Sequence, residues 1–102
     1  MKSPTLHSRD LTLDLHNGLA QLHGRRLKLS PKEFQLLADL MQHRGQVRQR
    51  KSLLNYVWDG TQGDRTASLD VHIHMLRGKI EENPKMPKRI QTIYGVGYRF
   101  IG

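Results

Sequence analysis

At 102 residues the chain has room for one domain around a small core, and 36% hydrophobic residues suffice for a compact α+β unit. Seventeen Lys and Arg against nine Asp and Glu give a formal net charge of +8 and a pI of about 10.3, which attracts polyanions and makes nucleic acid the leading partner class. The absence of Cys excludes disulfides and thiolate metal sites. No apolar run approaches the roughly 20 residues of a membrane span, and no signal-peptide core is present, so a cytoplasmic protein is expected.

A basic ribosomal or membrane-surface protein would carry the same charge, so the residue pattern has to decide. No repeat, low-complexity segment or Pro/Gly/Ser-rich linker divides the chain, which predicts one domain over residues 1–102. Leu11, Leu13 and Leu15 alternate with Thr12, Asp14 and His16. Asn17-Gly18 then supplies the pair favoured in a two-residue hairpin, and Leu19-Ala20-Gln21-Leu22 returns. A second turn at Gly24-Arg25 before Leu27-Lys28-Leu29 completes a small antiparallel sheet.

Ser30-Pro31-Lys32-Glu33 is a helix start: Ser caps free amides, Pro fits the first helical position and Glu three residues later reaches back. Phe34, Leu37, Ala38 and Met41, flanked by Leu36 and Leu40, give a wide apolar face until Gly45 after His43-Arg44. The chain runs briefly extended around Gln46-Val47-Arg48, and Leu53, Leu54, Val57 and Trp58 mark a second, shorter helix. Asp59 to Asp64 form a polar loop with two Gly. A third helix is predicted over about 66–82, stopping before Asn83-Pro84, because the residue before Pro disfavours the α region. Lys85-Met86-Pro87-Lys88 connects it to a basic hairpin over about 89–101.

At about 100° per residue, Leu69, Ile73, Leu76 and Ile80 fall within about 60° and face the core. Val71, His74, Met75 and Gly78 project opposite, with His72 and Arg77 on the flanks. Val71 or Met75 can touch a thymine methyl, while His72, His74 and Arg77 can donate to phosphates or base edges. An ordinary solvated face is the plainer reading. Against it stand an exposed Val and Met, a Gly78 that costs about 1 kcal/mol of helix propensity unless close approach needs it, and the hairpin that follows directly. Glu81 and Glu82 are unfavourable near phosphate, which directs the N-terminal half of the helix into a groove. Arg44, Arg48, Arg50 and Lys51 form a basic cluster whose plain reading is solubility, although Arg50 and Lys51, near a helix start, suit backbone phosphates.

Other chemistry is not supported. His72 and His74 lie about 200° apart on a helix and cannot share a metal ion. Gly95-Val96-Gly97 lacks the third Gly and following helix of a dinucleotide fingerprint. No base is visibly committed to Ser30, Ser52 or Ser68, so neither catalysis nor a cofactor is expected.

Leu69-Asp70-Val71-His72-Ile73, Leu76-Arg77, Ile90-Gln91-Thr92-Ile93 and Gly95-Val96-Gly97-Tyr98-Arg99-Phe100 are the distinctive blocks. With Leu29-Ser30-Pro31-Lys32-Glu33-Phe34 and Leu53-Leu54-Asn55-Tyr56-Val57-Trp58 upstream, they closely resemble the OmpR/PhoB-type effector domain of bacterial two-component response regulators, over roughly residues 9–101. The resemblance implies an α+β winged helix-turn-helix: an antiparallel four-stranded N-terminal sheet, three helices with the third as recognition helix, and a C-terminal β-hairpin wing. It implies sequence-specific binding to double-stranded promoter DNA at direct repeats, as head-to-tail pairs of a chain that is monomeric when free, and hence transcription regulation. Position by position, it places Val71, His72 and Met75 on bases and Tyr94 at the wing tip in a minor groove. Trp58, His74, Arg77, Thr92 and Tyr98 fall where the family meets phosphates. The loop of Asp59, Gly60, Thr61, Gln62, Gly63, Asp64 and Arg65 matches one linked to RNA polymerase contact. Met75 and Tyr94 stand where many members carry Arg, and Gly78 where many carry a basic residue. The alternative function is a winged-helix module that uses the third helix and hairpin against an acidic protein partner without binding DNA.

Overall fold

The computed structural model describes residues 4–58 and 66–102. Four short strands come first, β1 (Thr5–Ser8), β2 (Leu11–Asp14), β3 (Leu19–Leu22) and β4 (Arg25–Leu27), paired antiparallel in the order β1-β2-β3-β4. Then follow α1 (Pro31–Gln42), β5 (Val47–Gln49), α2 (Arg50–Trp58), α3 (Thr66–Ile80), β6 (Ile90–Ile93) and β7 (Gly97–Phe100). The last strands form a second sheet in the order β5-β7-β6. This is the α+β winged arrangement expected from the sequence.

The alternation of Leu11 and Leu13 does what period-2 patterning requires, since both are fully buried on one face of the first sheet. The turns depart from expectation in both hairpins. Four residues, Leu15 to Gly18, separate the paired Asp14 and Leu19, where a two-residue Asn17-Gly18 turn was predicted. Asp14 is the cause: its carboxylate accepts from the amides of His16 (3.0 Å) and Asn17 (3.1 Å) and from Asn17 Nδ2 (2.7 Å), which closes a wider Asx-type loop. In the next hairpin Leu22 pairs with Arg25, so the turn is His23-Gly24, one residue before the predicted Gly24-Arg25. Both central residues have positive φ, 56° and 75°, as a two-residue turn of this hand requires. His23 tolerates that conformation because its amide donates to Asp10 O at 3.0 Å and its ring pairs with the Asp10 carboxylate. β1 has no apolar alternation and was visible only through the family resemblance.

The start of α1 is the predicted capping box. Ser30 has extended backbone, its Oγ accepts from Glu33 N at 3.2 Å, and Glu33 Oε1 accepts from Ser30 N at 2.8 Å. The helix ends at Gln42 with His43 as C-cap, ahead of the expected stop at Gly45, which instead turns the chain at φ 83°. Leu36, Leu37, Leu40 and Met41 of α1 pack with Leu53 and Val57 of α2, with Leu69, Ile73, Leu76 and Ile80 of α3, and with Ile90 and Phe100 of the second sheet. All four stripe residues of α3 are at most 2% exposed, so the helical spacing read from the sequence places its inner face correctly.

The third helix ends at Ile80, two residues short of the predicted 66–82. Glu81 explains the stop. Its side chain turns inward and accepts from the amides of Lys88 (2.9 Å), Arg89 (3.0 and 3.1 Å) and Ile90 (2.9 Å), so it holds the entry to β6 against the end of α3. The extended stretch before α2 is β5, and it joins the hairpin as a third strand: Val47 opposes Arg99, Arg48 opposes Tyr98 and Gln49 opposes Gly97. A Cβ on Gly97 would lie 2.0 Å from Arg48 O, so this close approach admits only glycine.

Candidate nucleic-acid interface

Three sides of α3 are occupied and one is open. Its inner stripe lies in the core. One flank faces the second sheet through Asp70 and Arg77. The Arg77 guanidinium donates from Nε and Nη2 to Ile90 O (3.3 and 2.9 Å) and from Nη2 to Thr92 Oγ1 (2.7 Å), and it lies 5.6 Å from the centre of the Tyr98 ring. Asp70 accepts two hydrogen bonds from the Arg50 guanidinium (2.8 and 2.9 Å) and one from Tyr98 Oη (2.6 Å). The Arg50 guanidinium beside Asp70, helped by the Tyr98 hydroxyl, holds its carboxyl below the usual carboxylate range despite some burial. Burial pushes the Tyr98 phenol up, and Asp70 adds to that shift.

The opposite flank meets α2. His72 is half-buried and stands edge-on to the half-buried Trp58, with ring centroids 5.3 Å apart and an interplanar angle of 79°. Lys32 Nζ lies 5.7 Å from the Trp58 ring centre and donates to Val57 O at 2.6 Å. Trp58 is therefore packed on one helix face and partly open to solvent. Lys79, at the end of α3, reaches back to Glu33 at 2.7 Å.

The open side carries Val71, His74, Met75 and Gly78, all exposed. Beside it a cleft of about 230 Å³ runs between α3 and the hairpin, lined among others by Arg50, Asp70, Thr92 and Tyr94. The hairpin tip is Tyr94-Gly95-Val96, where Gly95 takes φ 77° and Tyr94 is 90% exposed. Lys51, on the first turn of α2, is exposed, whereas Arg48 turns inward and binds the buried Asp39 through two hydrogen bonds of 2.7 and 3.0 Å. Asp59, Gly60, Thr61, Gln62, Gly63, Asp64 and Arg65, which the resemblance matches to a polymerase-contact loop, lie outside the described residues.

The structure thus gathers Arg50, Arg77, Thr92 and Tyr98 around one seam between α3 and the wing, with Val71, His74 and Met75 on the face beside it. Asp70, the centre of that seam, was not singled out in the sequence. Its partners lie 20 and 28 residues away, and no local pattern announces them.

Residues 24–100 match the family model described as "Transcriptional regulatory protein, C terminal". The chain belongs to the OmpR/PhoB-type DNA-binding domains of response regulators. Sensory transduction protein RegX3 of Mycolicibacterium smegmatis is 36% identical over 97 residues, covering 95% of this chain and 42% of that protein. The alkaline phosphatase synthesis transcriptional regulatory protein PhoP of Bacillus subtilis is 49% identical over 73 residues, 72% of this chain and 30% of its own length. The chain therefore spans less than half the length of these curated relatives. Among solved structures, the Klebsiella pneumoniae RstA DNA-binding domain in complex with RstA box superposes with a TM-score of 0.84 at 36% identity, covering 95% of this chain and 96% of that one. The OmpR/PhoB-type family is one of DNA-binding transcription regulators and not of enzymes.

Proposed function

We propose that this OmpR/PhoB-type domain binds double-stranded promoter DNA sequence-specifically and regulates transcription as the output domain of a two-component response regulator. α3 enters the major groove, and the β6–β7 wing lies on the neighbouring backbone or minor groove. The observation that carries this reading is the open face of α3, held between α2 and the wing on a domain of net charge +8, in a chain so similar to the RstA domain solved with its DNA box. Val71, His72 and Met75 are the base-facing residues, with Tyr94 at the wing tip. Trp58, His74, Thr92, Arg50, Lys51 and Arg77 face phosphates; Tyr98, expected among them from the sequence, is only 6% exposed with its hydroxyl on Asp70, and supports the seam from within. Arg77 can face a phosphate while clamped, because its bonds to Ile90 and Thr92 use only Nε and Nη2 and a guanidinium has five N–H donors.

On a promoter the domains pair head to tail on direct repeats and are monomeric when free. The loop of residues 59–65 is the contact for RNA polymerase, and the working compartment is the cytoplasm, where promoter DNA resides. Selection from a random duplex pool, followed by titration at two salt concentrations, tests the reading. A spaced direct repeat should emerge, bound more tightly than random duplex and with affinity that falls as salt rises. No duplex binding at either salt concentration would favour a protein-interaction module and refute this function.

A further inference from the structure

Side chains able to make paired hydrogen bonds to a base edge are turned away from the open face of α3. Arg77 is bound to Ile90 and Thr92, Lys79 to the buried Glu33, and Asp70 to Arg50 and Tyr98. Guanine is read in the major groove mainly by Arg or Lys, and adenine by Asn or Gln. Among the described residues of α3, none of these four types stands on the open face. What stands there is Val71, 53% exposed, Met75, 44% exposed, His74 and Gly78.

Val71 and Met75 are four residues apart and so neighbours on one helical side, forming a continuous apolar strip. Gly78 continues the same side. A Cβ there would meet nothing within 4 Å among the described residues, so no packing among them calls for glycine, whereas a groove wall pressed against the helix would. The one apolar group that a base pair presents in the major groove is the C5 methyl of thymine.

Resting on the duplex-binding reading above, we propose that this domain selects its site chiefly through thymine C5 methyl groups packed against Val71 and Met75, rather than through paired hydrogen bonds to purines. Val71 and Met75 are the specificity-determining residues, and adjacent thymines on one strand match the spacing of the strip. The charged residues along the α3–wing seam contribute affinity that is indifferent to sequence.

The test uses the duplex selected from the random pool and copies of it in which deoxyuridine, lacking only the methyl, replaces thymine one position at a time. Binding by the intact domain is followed by fluorescence anisotropy at fixed salt. At two or more neighbouring positions the replacement should weaken binding about fourfold each, the equivalent of one buried methyl group, with the salt slope unchanged. V71A and M75A, both at exposed positions, should each bind the thymine and deoxyuridine duplexes equally at one of those positions. Equal affinity of the wild type for both duplexes at every position overturns the proposal. So does a deoxyuridine penalty that persists undiminished in both variants. Failure of the wild type to select any duplex would instead overturn the function on which the proposal rests.

Discussion

Glu33 joins the start of one helix to the end of another. Its side chain is fully buried, yet Oε1 accepts from both Ser30 N and Lys79 Nζ, while Oε2 has no hydrogen-bond partner among the described residues. Burial pushes the carboxyl up, but the Lys79 ammonium and the Ser30 bonds outweigh it and hold the group below its ordinary value of 4.5. A carboxyl depressed in the folded state contributes stability above its unfolded value and loses it as pH falls through the folded one. The domain should therefore lose stability on acidification below about pH 4.5. Lys79→Ala leaves the buried carboxylate without its counter-charge and is expected to cost roughly 3 kcal/mol at neutral pH. Burial then dominates and raises the Glu33 carboxyl, so the deficit should narrow as the pH falls and the group takes up a proton. Urea denaturation of both proteins between pH 7 and pH 4 checks this, and a deficit that does not change with pH would exclude the buried carboxylate as its source.

At the scale of elements, α3 answers to two demands. Its inner stripe follows helical periodicity, but Gly78 on the outer face weakens the helix with no neighbour among the described residues to justify it. Gly78→Ala should raise the stability of the free domain by about 1 kcal/mol. If the groove wall approaches the helix there, the same change should weaken binding to the selected duplex. Opposite signs in denaturation and in anisotropy are the expected result, and a gain in both would place Gly78 outside the contact. The seam beside it was only partly legible. Arg77 was placed by its angle on the helix, and Thr92 and Tyr98 by the family resemblance, but that Arg77 clamps the wing and that Asp70 gathers Arg50 and Tyr98 follows from the way β6, β7 and α2 meet α3. β5 shows the same limit: a three-residue extended stretch carries too little pattern to reveal its partner, and its close pairing with β7 needs the glycine at position 97, far along the sequence.

For the molecule as a whole, the net charge of +8 attracts polyanions, and the clamps fix which of those charges can meet phosphates, whose number sets the salt dependence of the proposed binding. Arg77 belongs to both. Arg77→Ala should weaken binding to selected and random duplexes alike and reduce the slope of log affinity against log salt by about 0.9, the signature of one lost phosphate contact. Equal slopes for the two proteins would leave Arg77 as a clamp between α3 and the wing alone. Since the variant also loses the bonds to Ile90 and Thr92, its melting temperature should fall in the same series.

The sequence by itself determined what depends on near neighbours: the capping box of Ser30 and Glu33, the buried stripe of Leu69, Ile73, Leu76 and Ile80, the basic charge, and the motif blocks that mark the family. Each rests on spacing within a few residues or on a simple sum, and neither needs the rest of the chain. Only the tertiary structure decided which polar groups find each other. The inward turn of Glu81, the grip of Asp70 on Arg50 and Tyr98, and the pairing of β5 with β7 all join residues far apart in the chain. Most buried polar groups take a partner, and packing of the whole domain determines which one comes within reach. That same assignment draws Asp70, Arg77 and Lys79 to the flanks of α3 and leaves Val71, His74, Met75 and Gly78 on its open face.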